Sequence, residues 1–147
     1  MKKKIFIILF CIGTILSIHR CSNNRIGEKS DIQVSQGDVT LTIKDGTLTK
    51  TGATVIIKNN SDRKIQYGDF FELEIKKHGE WHKIEVYTPQ WFQLYAVVLD
   101  PGQSREMEHG FGAYGKLRRG RYRIIKDMTY ESGKYEEFNV AVEFNIK

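Results

Sequence analysis

Phe138-Asn139-Val140-Ala141-Val142-Glu143-Phe144-Asn145-Ile146-Lys147 places a large apolar residue at every second position, with Asn139, Ala141, Glu143, Asn145 and Lys147 between them. Successive side chains of an extended chain point to opposite faces, so this stretch reads as a strand with one face in a core and one in water. The same period recurs upstream. Val39, Leu41 and Ile43 alternate with Thr40, Thr42 and Lys44; Ala53, Val55 and Ile57 follow; Phe71, Leu73 and Ile75 alternate with Glu72, Glu74 and Lys76.

Turn residues separate these runs. Asp45-Gly46 offers a tight hairpin, since glycine tolerates positive φ. Asn59-Asn60-Ser61-Asp62 reads as a loop, His78-Gly79 and Glu131-Ser132-Gly133 as hairpin tips. Asp100-Pro101-Gly102-Gln103 has proline and glycine placed for a β-turn. From residue 37 onward no stretch carries a sustained apolar stripe at helical spacing. Short strands with turn signals every ten or so residues predict an all-β fold, a single immunoglobulin-like β-sandwich of about seven to eight antiparallel strands.

The N-terminal segment is of another kind. Met-Lys-Lys-Lys precedes an almost wholly apolar run from Ile5 to Ile18, the pattern of an export signal. Fourteen residues make a helix of about 21 Å against a hydrocarbon core of roughly 30 Å, which disfavours a full span. Cys21 follows the run where a lipoprotein carries its lipid-modified cysteine, although Arg20 stands where a small residue is usual. The expected organisation is a signal or anchor segment at 1–20, a flexible polar tether at 21–36 and the sandwich at 37–147. The expected location is the outer face of the cell membrane, or secretion.

Charge and cysteine usage narrow the function. The chain has a formal charge of +5, but Lys2, Lys3, Lys4 and Arg20 lie in the leader, leaving 19 basic against 18 acidic residues beyond it. Such a balance argues against a nucleic-acid partner. Cys11 and Cys21 are the only cysteines, so the domain is expected to hold no internal disulfide, cysteine-ligated metal or cysteine nucleophile. Its stability must come from packing, and a domain this long buries about two-thirds of its unfolded surface.

Leu117-Arg118-Arg119-Gly120-Arg121-Tyr122-Arg123-Ile124 sets a tyrosine two residues after a glycine at the start of a penultimate strand. That is the position of a tyrosine corner, or of an ordinary strand tyrosine. With Ala53 to Ser61, Tyr67 to Glu74, Gly79 to His82, Val98 to Gly102, Tyr114 to Leu117 and Val140 to Phe144, it carries a resemblance. The chain resembles the bacterial Ig-like domain family of small exported and lipid-anchored Gram-positive proteins, over nearly everything from residue 38. The resemblance implies a fold and a surface location, and no catalytic residues.

Several motifs touch on known chemistries. Gly110-Phe111-Gly112-Ala113-Tyr114-Gly115 matches G-x-G-x-x-G, but a strand rather than a helix follows, so it reads as a flexible loop. His78, Glu80 and His82 could ligate a metal from one strand face, but the expected hairpin tip scatters them. None of Ser61, Ser104 or Ser132 sits in a G-x-S-x-G elbow. Asp69, Glu72, Glu74, Glu136 and Glu137 read as the wet face of a sheet rather than paired catalytic acids. No cofactor and no metal are expected.

Trp81, Tyr87, Trp91, Phe92 and Tyr95 fall within fifteen residues. They plug the end of a core or form a binding surface, in the second case with Tyr114 and Phe111. The leading expectation is a non-enzymatic, monomeric module binding a protein or cell-wall ligand. A carbohydrate-binding module using Trp81 and Trp91 is one alternative. A small exported protease inhibitor presenting Tyr87 to Tyr95 is another.

Overall fold

The computed structural model describes residues 24–35, 37–89, 95–131 and 136–147. Ten strands build it: β1 Arg25–Lys29, β2 Val39–Ile43, β3 Gly52–Asn59, β4 Ile65–Tyr67, β5 Glu72–Lys77, β6 Glu80–Glu85, β7 Val97–Leu99, β8 Ser104–Gly110, β9 Gly120–Tyr130 and β10 Glu136–Ile146. The only helical element among the described residues is a 3-10 turn at Gly112–Tyr114. The strands form two sheets, a small one ordered β2-β3-β8 and a seven-stranded one built on β9. On one side β9 pairs with β10 along its whole length. On the other, β5 takes residues 122–125 and β4 takes 129–130, and β6, β1 and β7 extend these.

All-β architecture and the sandwich follow the alternation read from the sequence. Val39 and Leu41, Ala53, Val55 and Ile57, Leu73 and Ile75, and Val140, Phe144 and Ile146 are all buried between the sheets. Phe144 lies opposite Tyr122 in register, their rings stacked 5.6 Å apart, and the Phe111 ring also stacks with Phe144, at 5.9 Å. The strand count exceeds the expected seven to eight because three-residue β4 and β7 and the edge strand β1 are too short or too polar to show a period.

The stretch expected to be a tether differs most. Arg25–Lys29 pairs with β6, Ile26 opposite Ile84, as an edge strand of the large sheet. Its sequence, Arg-Ile-Gly-Glu-Lys, has a single large apolar residue; backbone pairing rather than side-chain burial holds it there. Residues 30–35 then cross the outer face of the large sheet. Ser30 N donates to Trp81 O on β6, and Ser35 N donates to Asn139 O on β10. This strap half-buries Ile32 and Val34 and hides Ile125, which points away from the inter-sheet core yet is almost inaccessible.

Turns act as their residues demand. His78 and Gly79 both take positive φ and form the two-residue turn between Lys77 and Glu80. Gly102, at φ 81, follows Pro101, and Gln103 N closes the turn on Asp100 O. Asp45-Gly46 does turn the chain, but residues 44–51 all lie between β2 and β3, so it is no two-residue hairpin. Buried Asn59 ties the next loop down: its Nδ2 donates to Arg63 O and Leu99 O, and its Oδ1 accepts from Ser61 N.

The tyrosine corner is present. Tyr122 is wholly buried and its hydroxyl donates to Arg118 O at 2.8 Å, fixing the turn into β9. Replacing Tyr122 by Phe removes that bond alone and is expected to cost about 1 kcal/mol, read as a lower denaturation midpoint with an unchanged m-value.

Candidate functional site

Strand register builds a platform on the outer face of the large sheet. Trp81 pairs with Lys76 across β6 and β5, and Glu74 pairs with Arg123 across β5 and β9, so all four share that face. Arg123 Nε donates to Glu74 Oε2 at 2.6 Å, while its guanidinium lies 4.7 Å from the centre of the Trp81 ring. Lys76 Nζ approaches the same ring at 5.2 Å. Cations therefore occupy the π-surface that a sugar ring would stack upon. The strap lies beside this group, with Val34, Ser35, Arg123, Ala141 and Glu143 lining one groove.

Glu74 corrects the sequence reading. Alternation with Leu73 and Ile75 sets it, together with Glu72 and Lys76, on the face expected to be wet, yet it is fully buried. The parity of the strand gives the correct side, but the strap and Trp81 dry that side out. Burial also raises the Glu72 carboxyl above its usual range.

A second polar group sits on the inner face. Tyr122, Ile124, Lys126, Met128 and Tyr130 share the core-facing parity of β9, and Lys126 is fully buried among them. Its Nζ donates to Gly68 O and Phe70 O, pinning the loop between β4 and β5. Burial pushes this ammonium down to about 8, against the opposing pull of Asp127 and Asp69. His109 lies 4.4 Å from the Phe71 ring, with Nε2 buried and unpartnered. Burial first, then the Lys126 charge, hold its imidazole down to about 3, so it is neutral. The Tyr67 hydroxyl is likewise buried without a partner, and burial raises its phenol. The sequence reading missed both Lys126 and His109, and the one signal for them is the parity of β9 and β8, which points both inward.

The aromatic cluster does not form one site. Trp81 belongs to the outer platform, Tyr87 lies under Arg25 with its N–H on Ala113 O, and Tyr95 adjoins Gly68. Trp91 and Phe92 lie outside the described residues, as do Cys21 and residues 90–94 of the segment considered for protease inhibition. Phe111 and Tyr114 are buried, the Tyr114 hydroxyl donating to Phe71 O, so they are core rather than binding surface. Exposed apolar side chains instead gather where β5 begins and β6 ends: Phe70 (44% exposed), Val86 and Tyr87, with Tyr95 (43%) beside Gly68.

Other candidates have structural roles. The G-x-G-x-x-G segment is an ordered 3-10 turn, its Phe111 N bonded to Thr51 O and Gly115 N to Gly112 O, not a flexible loop. His78 is at the hairpin tip, Glu80 pairs with Lys29 and His82 faces Gly27 O. Among the described residues no group of three or more His, Cys, Asp or Glu side chains could hold a metal ion. Ser61 Oγ lies within hydrogen-bond reach of Asn59 Oδ1 and Arg63 O, inside the loop network. Glu136 pairs with Arg63. The arrangement as a whole offers apolar and cationic contacts, with Lys126 committed to backbone carbonyls and the Tyr67 hydroxyl and His109 Nε2 unpartnered inside.

A family model of a bacterial Ig-like domain matches residues 35–145. The match begins at the end of the strap and leaves β1 upstream of it. No curated protein matches the chain.

Two substitutions separate the buried groups. Glu74→Gln leaves the Arg123 guanidinium half-paired in a dry site and is expected to cost about 3 kcal/mol, whereas Glu74→Leu with Arg123→Met together cost far less; urea unfolding compares them. For His109 the folded pKa is depressed, so the unfolded chain binds the extra proton and stability falls as pH drops from 6.5 towards 3. His109→Gln removes that acid limb, and its stability loss between pH 7 and pH 4 is expected to be smaller than the parent's by up to about 3 kcal/mol.

Proposed function

Because the chain belongs to the bacterial Ig-like domain family, we propose that it is an exported, envelope-associated, non-enzymatic interaction module. In this reading the leader at 1–20 directs export, and a lipid on Cys21 keeps the chain at the outer face of the membrane. No helix among the described residues is long and apolar enough to cross a membrane; in this reading attachment rests with Cys21.

The observation that carries the binding reading is the exposure of Phe70, Val86 and Tyr87 at the open end of the β5–β6 hairpin, with exposed Tyr95 beside Gly68. Aromatic and apolar side chains clustered in loops on a rigid sandwich are the anchors of protein interfaces. Phe70 is held in place from behind, since Lys126 grips its carbonyl oxygen. A protein ligand is favoured over a glycan, because the Trp81 ring already carries Arg123 and Lys76.

A photo-reactive phenylalanine analogue introduced at Phe70 or Tyr95, in the full chain displayed on bacterial cells, tests this. A discrete protein adduct from these positions, absent from Lys58, is expected. Adducts that vanish on muramidase digestion indicate a cell-wall glycan instead, and absence of any adduct removes this end as the binding surface. In the resulting complex Phe70→Ser with Tyr95→Ser is expected to weaken affinity by about a hundredfold.

A further inference from the structure

We infer that the β1 edge and the neighbouring 116–121 turn form a docking face for anionic phospholipid headgroups. The inference rests on the membrane-anchored reading above. Asn24 and Ile26 line a groove of about 400 Å³ together with Ile75, Lys77, Arg118, Arg119 and Tyr122. Ile26, Ile75 and Tyr122 supply its apolar wall. Lys77, Arg118 and Arg119 form no ion pair with any described residue, and Arg118 and Arg119 are exposed.

A second recess shares Arg119 with this groove and is lined also by Arg121 and Lys147. On the other side of Asn24, Arg25 lies 5.3 Å from the Tyr87 ring, beside exposed Ile26 (46%) and Val86 (47%). Four carboxylates are close: Glu85 opposite Arg25, Glu28 within β1 and paired with Lys83, Glu80 paired with Lys29, and Glu143 paired with Arg121. Cations interleaved with exposed apolar and tyrosine side chains match a bilayer interface, where each Lys or Arg near an anionic surface contributes roughly 1 kcal/mol.

Chain reach selects this occupant. Cys21, the lipid-bearing residue of that reading, lies three residue steps before Asn24, and fully extended these span at most about 11 Å. Because β1 is docked on the sheet rather than free, a lipid on Cys21 holds the β1 edge within that distance of the bilayer. Electrostatic attraction at physiological salt decays over about 8 Å, so the cations around Asn24 are the ones positioned to feel the lipid charge.

Flotation of the full chain with vesicles of phosphatidylcholine alone, and of phosphatidylcholine with phosphatidylglycerol, is the test, followed by amide exchange on the floated protein. The chain is expected to float with both. Exchange at 24–29 and 116–121 should slow about tenfold only when phosphatidylglycerol is present. Arg118→Glu with Arg119→Glu should abolish that slowing while flotation and thermal unfolding stay unchanged, and Lys58→Glu on the small sheet should preserve it. Equal exchange on the two vesicle types, or protection that survives the double reversal, overturns the inference and leaves the anchor intact. Flotation only with phosphatidylglycerol, lost in the double reversal, supports the docking face and rejects the anchor. Flotation with neither rejects both.

Discussion

Two sheets of unequal width must share one core. Across its middle the large sheet runs β1-β6-β5-β9-β10, about 19 Å between outermost strand axes, whereas β2-β3-β8 spans only about 10 Å. The small sheet cannot cover the large one, and the uncovered apolar surface has to be sealed by chain that is not strand. On the inner side the seal is the connection from β8 to β9, whose Phe111, Tyr114 and Leu117 are all buried. Its backbone is tied to Lys50, Thr51 and Tyr87, and the Tyr122 corner fixes its exit. On the outer side the seal is the strap at 30–35. The order of a glycine-rich loop and of a polar N-terminal segment thus follows from the same mismatch.

Sealing the outer face also explains the buried charges. With no cysteine after residue 21, no cross-link restrains the unfolded chain. The Glu74–Arg123 pair is costly to desolvate and contributes little net stability over an apolar pair of equal volume. What it supplies is geometry: Glu74 accepts only a donor at the height of Arg123, and Arg123 in turn backs Trp81, whose carbonyl receives the strap. Lys126 works similarly on the inner side, where its two carbonyl acceptors, Gly68 and Phe70, set the shape of the loop that carries an exposed aromatic.

How much of this the sequence discloses depends on whether a residue's partner lies within its own strand pattern. Alternation in residues 39–43, 53–57 and 138–146 identifies the core face, because there burial depends only on parity. The tyrosine corner is local, four residues from donor to acceptor, so its residues could be picked out, while the choice between a corner and an ordinary strand tyrosine needed the Arg118 carbonyl in place. Glu74 could not be, because what buries it arrives from a segment about forty residues upstream that has no period of its own. β1 is hidden for a related reason: an edge strand held by backbone bonds needs no apolar alternation. Of the candidate site, the aromatic richness of residues 81–95 is legible, but the separation of Trp81, on the outer platform, from Tyr87 and Tyr95 is set by the topology alone.

The pairing of β10 has a bearing on when the fold can form. β10 follows every other strand in synthesis, yet it is the partner of β9 over all eleven of its residues and the acceptor for Ser35 at the far end of the strap. Until it emerges, β9 has one open side, Tyr122 lacks the ring of Phe144, and the strap has nowhere to end. Closure of the sandwich therefore waits on contacts spanning about a hundred residues, which are slow to form. A ribosome-bound chain that lacks this strand is short of the contacts that close the sandwich.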